Sequence, residues 1–415
     1  MGDRISHMVR QMFDADANVR VAAIVDPDRE AALQRAAVAK LPDVEHIRCF
    51  DDVGQLLADA AGLHGLLIGT RCHLHTPMAV ALAATGLPLF LEKPVAIDWE
   101  QFAQLQAAYR GREKSVVVSF PLRLTAHVRT AIEVIRSGRL GTVNQIQAVN
   151  NVPYGGVYFG QWYRDYDKTG GLWLQKATHD LDYINCLMAA TADRDVKPVS
   201  ITAMHSRTVY GGSFPPDHRC SRCDLTDTCP ESPQNLIARG NDGGVLNHRP
   251  PTPQSDHLCT FSRSILNQDA GSAIVMYDNG AHAAYSQNFL PRLSAGQRGA
   301  TVIGYDATLR FDWQSDIVTV IDHHRTRVDR LEVAGSGSHG GGDAILARNF
   351  LDVVRGRDLS HSPLDQGLLS AAMCLAARDA AAQGVTQEIP GGSSVVTPVR
   401  GPVEPPTQAS NPVLS

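Results

Sequence analysis

The chain has 415 residues, 43% of them apolar and 20% charged, and carries a formal net charge of −5. That length exceeds one ordinary hydrophobic core, so two domains with tails are expected of a soluble globular protein. The mildly acidic balance, the lack of a basic run, and the lack of any stretch near the ~20 apolar residues of a membrane span argue against nucleic acid and membranes as partners. Eight cysteines in this length are too sparse for a disulfide scaffold. With no signal-peptide core at the N-terminus, the expected location is the cytoplasm.

The chain opens on Met1-Gly2-Asp3-Arg4-Ile5, the kind of glycine turn that follows a first buried strand in a dinucleotide-binding fold. No such strand precedes it. Gly2 stands where a second glycine would let a pyrophosphate approach the backbone, and Ile5 stands where a third is expected. Either the start is placed too late, or the domain no longer holds a dinucleotide in the usual way. A strand over 18–26 then ends on Asp26, a position suited to bonding ribose hydroxyls and to favouring NAD over NADP. The same Asp26 also reads as a cap for the turn Asp26-Pro27-Asp28. An Ala-rich helix over 28–40 and a short strand over 46–50 follow.

Residues 66–77 read as a buried strand and a loop holding Thr70, Cys72, His75 and Pro77. A helix-like segment ends at Gly86, and a second apolar run, 88–91, stops abruptly on Glu92-Lys93-Pro94. An ammonium at the end of a buried strand is costly unless it has a partner or a task. Pro94 pushes Lys93 toward extended backbone and out of the carboxyl edge of the sheet, where open α/β sheets bind ligands. Beyond a helix capped by Asp98 and a strand over 115–120 comes Arg123, then a helix over 128–137.

From residue 143 the pattern changes to alternating strands, over 143–149, 199–205, 272–277, 281–288, 300–304, 308–312 and 317–322. Strands without interleaved helices predict an open, mostly antiparallel sheet. One face should carry helices and the other should lie between subunits, in a homodimer or homotetramer. Before the second of these strands lies the richest polar cluster. Gly170-Gly171 leads into a helix on which Gln175 and His179 share a face, with Asp182 three residues further and Lys176 and Asp180 between. Trp162, Tyr163, Arg164 and Asp165 just upstream suit a sugar, aromatic for a ring face and charged for hydroxyls. Cys220, Cys223 and Cys229 form C-x2-C-x5-C, with Cys259 as the natural fourth ligand and His218 or His257 as alternates, which predicts a structural Zn. His339 precedes a helix capped by Asp343, and 389–415 read as a disordered tail.

The order strand, His-containing loop, helix, Gly, strand, Glu92-Lys93-Pro94, followed by Gly170-Gly171 and His179 with Asp182, resembles the Gfo/Idh/MocA family of nicotinamide-dependent sugar and polyol oxidoreductases. The resemblance implies a Rossmann-type α/β domain over 1–122. An α+β open-sheet domain follows over 123–388, with a Cys-rich insertion at 211–259. It implies hydride transfer between NAD(P) and a hydroxyl or keto carbon of a cyclic sugar, sugar derivative or inositol. Lys93, His179 and Asp182 would be catalytic, with Gln175 standing where the family carries an acid. Gly2, Asp26, Thr70, Cys72, His75, Glu92, Lys93 and Arg123 would serve the cofactor. Lys93, Arg123, Trp162, Arg164, Lys176, His179 and His339 would face the substrate. Histidine suits removal of a hydroxyl proton near neutral pH, and an ammonium suits the developing alkoxide. A catalytically impaired sugar-binding member and an NAD-dependent glycoside-cleaving enzyme are the alternatives.

Overall fold

The structure, a computed structural model, describes residues 3–192, 196–239, 257–333 and 338–390. Gly2 and the tail beyond residue 390 lie outside the described residues. The first unit contains β1 (Ala23–Val25), β2 (Arg48–Phe50), β3 (Leu66–Ile68), β4 (Leu89–Leu91) and β5 (Val116–Val118). Strands β4 and β5 are buried throughout, as apolar runs in a parallel sheet must be.

These strands form two parallel sheets, not one. Strand β1 pairs only with β2, while β3, β4 and β5 pair in that order, and no strand among the described residues joins β1 to β3. The helix Asp3–Ala15 packs its apolar stripe, Ile5, Met8, Val9 and Met12, into a core shared with Ile24, Phe90 and Val117. A Cβ added to Gly69 would fall 2.0 Å from Ile5, so this helix lies directly on the backbone leaving β3. The glycine that permits close helix–strand packing is therefore on the strand side. Leu346 and Phe350 of the helix Gly342–Val354 complete the same core, so a segment late in the sequence folds onto the first unit.

The second unit is a nine-stranded sheet of β6 (Val143–Asn151), β7 (Pro198–Ser206), β8 (Ala270–Tyr277), β9 (His282–Asn288), β10 (Gln297–Gly304), β11 (Ala307–Asp312), β12 (Ile317–Asp322), β13 (Val328–Glu332) and β14 (Gln387–Glu388). Its order is β13-β12-β11-β10-β6-β9-β8-β7-β14, antiparallel except for the parallel pair β6–β9. The alternation read from the sequence is real: Ala283, Tyr285 and Gln287 of β9 point inward, while their neighbours do not. Strands β13 and β14 were not foreseen, because β13 is a polar edge strand and β14 spans only two residues. The helices Thr178–Ala189 and Leu364–Gln383 cover the inner face through Leu181, Ile184, Leu375 and Ala376. No helix of the described residues is long and apolar enough to cross a membrane.

Candidate active site

Three segments meet where the two units touch. The first is the end of β4, where Glu92-Lys93-Pro94 leaves the sheet. The second is residues Trp173–Ala177, which adopt a π-helical turn ahead of the helix Thr178–Ala189. Such turns widen a helix and recur at functional sites. Trp173 anchors this one: it is fully buried against Gly271, where a Cβ would come within 2.8 Å of its ring. The third is the turn carrying His339, a residue in the left-handed region at φ 49°.

Lys93 Nζ donates to the backbone carbonyl of Gln175 at 2.8 Å, and Gln175 Nε2 lies 2.8 Å from Cys72 Sγ. The strand-end lysine of the first unit is thus in contact with the polar cluster that follows Gly170-Gly171. Burial, reinforced by the charge of Lys176, lowers the Lys93 ammonium to a pKa of about 8. His179 lies behind it, buried, with Phe120 edge-on at 5.9 Å and the His339 ring at 6.4 Å. Its Nδ1 has no hydrogen-bond partner among the described residues. Burial, then the charges of Lys93 and Arg298, hold His179 well below the ordinary histidine pKa. The ring is neutral at neutral pH, the form able to take a proton.

The carboxylates around this centre are already engaged. Arg4 donates to Glu92 at 3.0 Å, to both oxygens of Asp343 at 2.6 and 2.8 Å, and to Ser119 at 3.0 Å. His7 and His339 also contact Asp343, at 3.2 and 2.9 Å. Burial opposes ionisation of Asp343, but the bonds from His339, His7 and Arg4 outweigh it and hold this carboxyl far below the usual range. Asp180, fully buried, accepts from Asn150 at 2.8 Å, Tyr285 at 3.0 Å and Arg298 at 2.8 Å. Arg4, Tyr154 and Arg298 carried no signal in the sequence; Asp343, expected to cap its helix, instead lies inside the first turn behind Gly341 and gives its carboxylate to Arg4, His7 and His339. An arginine on an inward-facing sheet position is the anomaly that marks Arg298.

Several expected site residues stand elsewhere. Asp182 gives both carboxylate oxygens to Arg123, through Nε at 2.9 Å and through Nη2, and the pair is buried beside Gln366 and the carbonyl of His361. The two side chains are buried and engaged with each other, which stands against the catalytic reading of Asp182 and the ligand reading of Arg123. Arg164 is also buried, donating to the Cys259 carbonyl and to Ser264, so it ties down the Cys-rich insertion instead of facing a sugar. His75 is a clip: its ring nitrogens lie 2.8 Å from the carbonyl of Pro94 and 3.2 Å from that of Thr70. Thr70 is exposed at the mouth, and Trp162 stacks between Tyr163 and the Arg71 guanidinium, 3.8 Å above its ring. Lys176, buried, donates to Tyr154 Oη. Asp26 closes β1 as expected, and its Oδ1 also accepts from the Asp28 amide at 3.0 Å.

Cys220, Cys223, Cys229 and Cys259, none of them in a disulfide, line one small cavity of about 20 Å³ with His218 and His257. Antiparallel pairing of Arg219 with Leu258 brings the two Cys-bearing stretches together. As the side chains stand, no group of three or more His, Cys, Asp or Glu among the described residues is arranged to hold a metal ion.

A Rossmann-type unit joined to an open sheet, with a strand-end lysine set against a buried neutral histidine, defines a nicotinamide-dependent oxidoreductase. The chain belongs to the GFO/IDH/MocA family: residues 2–120 match its oxidoreductase profile, described as an NAD-binding Rossmann fold, and residues 128–310 match its C-terminal domain. Among curated relatives, YteT of Bacillus subtilis, named as an oxidoreductase, is 23% identical over 80% of this chain and 81% of its own length. Inositol 2-dehydrogenase of Rhizobium meliloti is 25% identical over 48% of this chain and 55% of its own. The solved structure of levoglucosan dehydrogenase with NADH and levoglucosan superposes with a TM-score of 0.68 at 16% identity, covering 93% of this chain and 96% of that one.

Proposed function

We propose that this protein transfers a hydride between NAD and a hydroxyl or keto carbon of a cyclic sugar, sugar derivative or polyol. The observation that carries the reading is the placement of the Lys93 ammonium beside a buried, neutral His179 with an unpartnered ring nitrogen. NAD, when bound, supplies the hydride acceptor. Asp26 would hold its ribose, and Thr70, Cys72 and Glu92 would border the nicotinamide end. His179 takes the hydroxyl proton, and Lys93 holds the same oxygen as its charge develops. Gln175 keeps Lys93 in place through its backbone carbonyl, so its side chain need not supply the charge an acid would bring. Trp162, its two faces taken by Tyr163 and Arg71, would border the sugar with its edge, and His339, held by Asp343, closes the far side. Reduction of NAD on a panel of neutral and acidic sugars and inositols tests the reading. No turnover and no NAD binding by the folded chain would favour a sugar-binding protein without chemistry, and hydrolysed sugar as product would favour glycoside cleavage.

Two further assignments are ours. The Cys-lined cavity takes a structural Zn once the thiols turn inward, as C-x2-C spacing and convergence on one cavity suggest. The outer face of the sheet, which bears the exposed Met204 and Ile274, packs against a second copy in a cytoplasmic homodimer or homotetramer.

A further inference from the structure

Two lysine ammonium groups lie in the cleft, and neither forms an ion pair with a carboxylate among the described residues. Lys93 meets only the Gln175 carbonyl, and Lys176 meets the Tyr154 hydroxyl, with its Nζ 4.4 and 5.6 Å from the ring centroids of Tyr154 and Tyr158. Every acid nearby is spent on another cation: Glu92 and Asp343 on Arg4, Asp180 on Arg298, Asp182 on Arg123. The Nη2 of Arg298 is itself buried without a hydrogen-bond partner among the described residues. Lys176 is 94% buried by its 6% exposure, yet of its three ammonium protons one hydroxyl takes a single hydrogen bond. A buried cation left this way is costly unless an anion completes it. The charge of Lys176 is felt at Lys93 and at His179, so all three groups share one cleft.

We propose that Lys176, with Tyr154 and the free edge of Arg298, forms an anion subsite for a carboxylate, so that the substrate is a sugar acid, a uronate or aldonate. This rests on the dehydrogenase reading above. Lys93 holds the hydroxyl being oxidised, and Lys176 holds the carboxylate on another carbon of the same ring or chain. The aromatic rings of Tyr154 and Tyr158 exclude water from the ion pair and strengthen it. One ammonium, one phenol and the single open Nη2 of Arg298, whose charge Asp180 already balances, suit a monoanionic carboxylate better than a dianionic phosphate, which would ask for further cationic donors.

Calorimetric titration of the NADH-loaded protein with glucuronate, gluconate, glucose, inositol and glucose 6-phosphate tests this independently of turnover. The acids should bind at least about 10-fold more tightly than their neutral counterparts, as one charge-assisted hydrogen bond in a buried site implies. Lys176→Met should erase that preference and Lys176→Arg should restore part of it. For the wild type alone, rising salt should weaken the acids and leave the neutral sugars unmoved, a readout that survives if the variant fails to fold. Equal binding of acids and neutral sugars would overturn the proposal, as would tighter, Lys176-dependent binding of the phosphate. NAD reduction by neutral polyols only would overturn it while upholding the dehydrogenase reading. Acid binding without any NAD reduction would overturn that reading and leave the subsite standing.

Discussion

Lys93→Met should make the enzyme more stable and nearly inactive. In the folded chain, burial and the neighbouring charge of Lys176 bring the Lys93 pKa from 10.5 to about 8. A difference of that size corresponds to about 3 kcal/mol of penalty for keeping the ammonium charged inside the cleft. Below pH 8 the folded and unfolded lysines are both protonated, so the penalty is fully present. It fades as pH rises from 8 toward 10.5, where the unfolded lysine also loses its proton. Methionine keeps the length and drops the charge, but it also abandons the Gln175 carbonyl, a loss of about 1 kcal/mol. The net gain near pH 7 is then about 2 kcal/mol, a rise in Tm of a few degrees, shrinking toward pH 10. Turnover should fall by about 100-fold or more, the usual consequence of losing one donor to a developing oxyanion. Urea unfolding at pH 7 and pH 10, paired with NAD reduction, measures both effects. A variant less stable than wild type at pH 7, or one with near-normal turnover, would refute the reasoning.

Asp182→Asn should destabilise the fold by about 3–5 kcal/mol, because it strands the Arg123 guanidinium in a buried site; equilibrium unfolding would read this directly. The pH–rate profile should keep rising or stay level down through the ordinary histidine range, because burial and Lys93 hold His179 below it, and should fall above about 8 as Lys93 loses its proton. His179→Asn should abolish the acid limb and leave the upper one. Elemental analysis of protein purified without chelator should find about one Zn per chain, and Cys223→Ser should lower the Tm without removing turnover in folded protein; metal-free protein with unchanged stability would retire that site.

The local features were legible because their physics is local. An apolar run bounded by Glu92-Lys93-Pro94 is a buried strand that must deliver a lysine to the sheet edge, whatever else the chain does. Period-two alternation put Ala283, Tyr285 and Gln287 on one face of β9. What the tertiary structure decided is how charges separated by long stretches of chain satisfy one another. Arg123 and Asp182 both looked like site residues, and only folding showed that each exists for the other. Arg4 and Asp343 lie at opposite ends of the sequence, and Tyr154, Lys176 and Arg298 come from three separate elements. Ion pairing has no period along a chain. A lysine's meaning is set by which carboxylates remain unclaimed around it, and that is known only once every other cation has taken its partner.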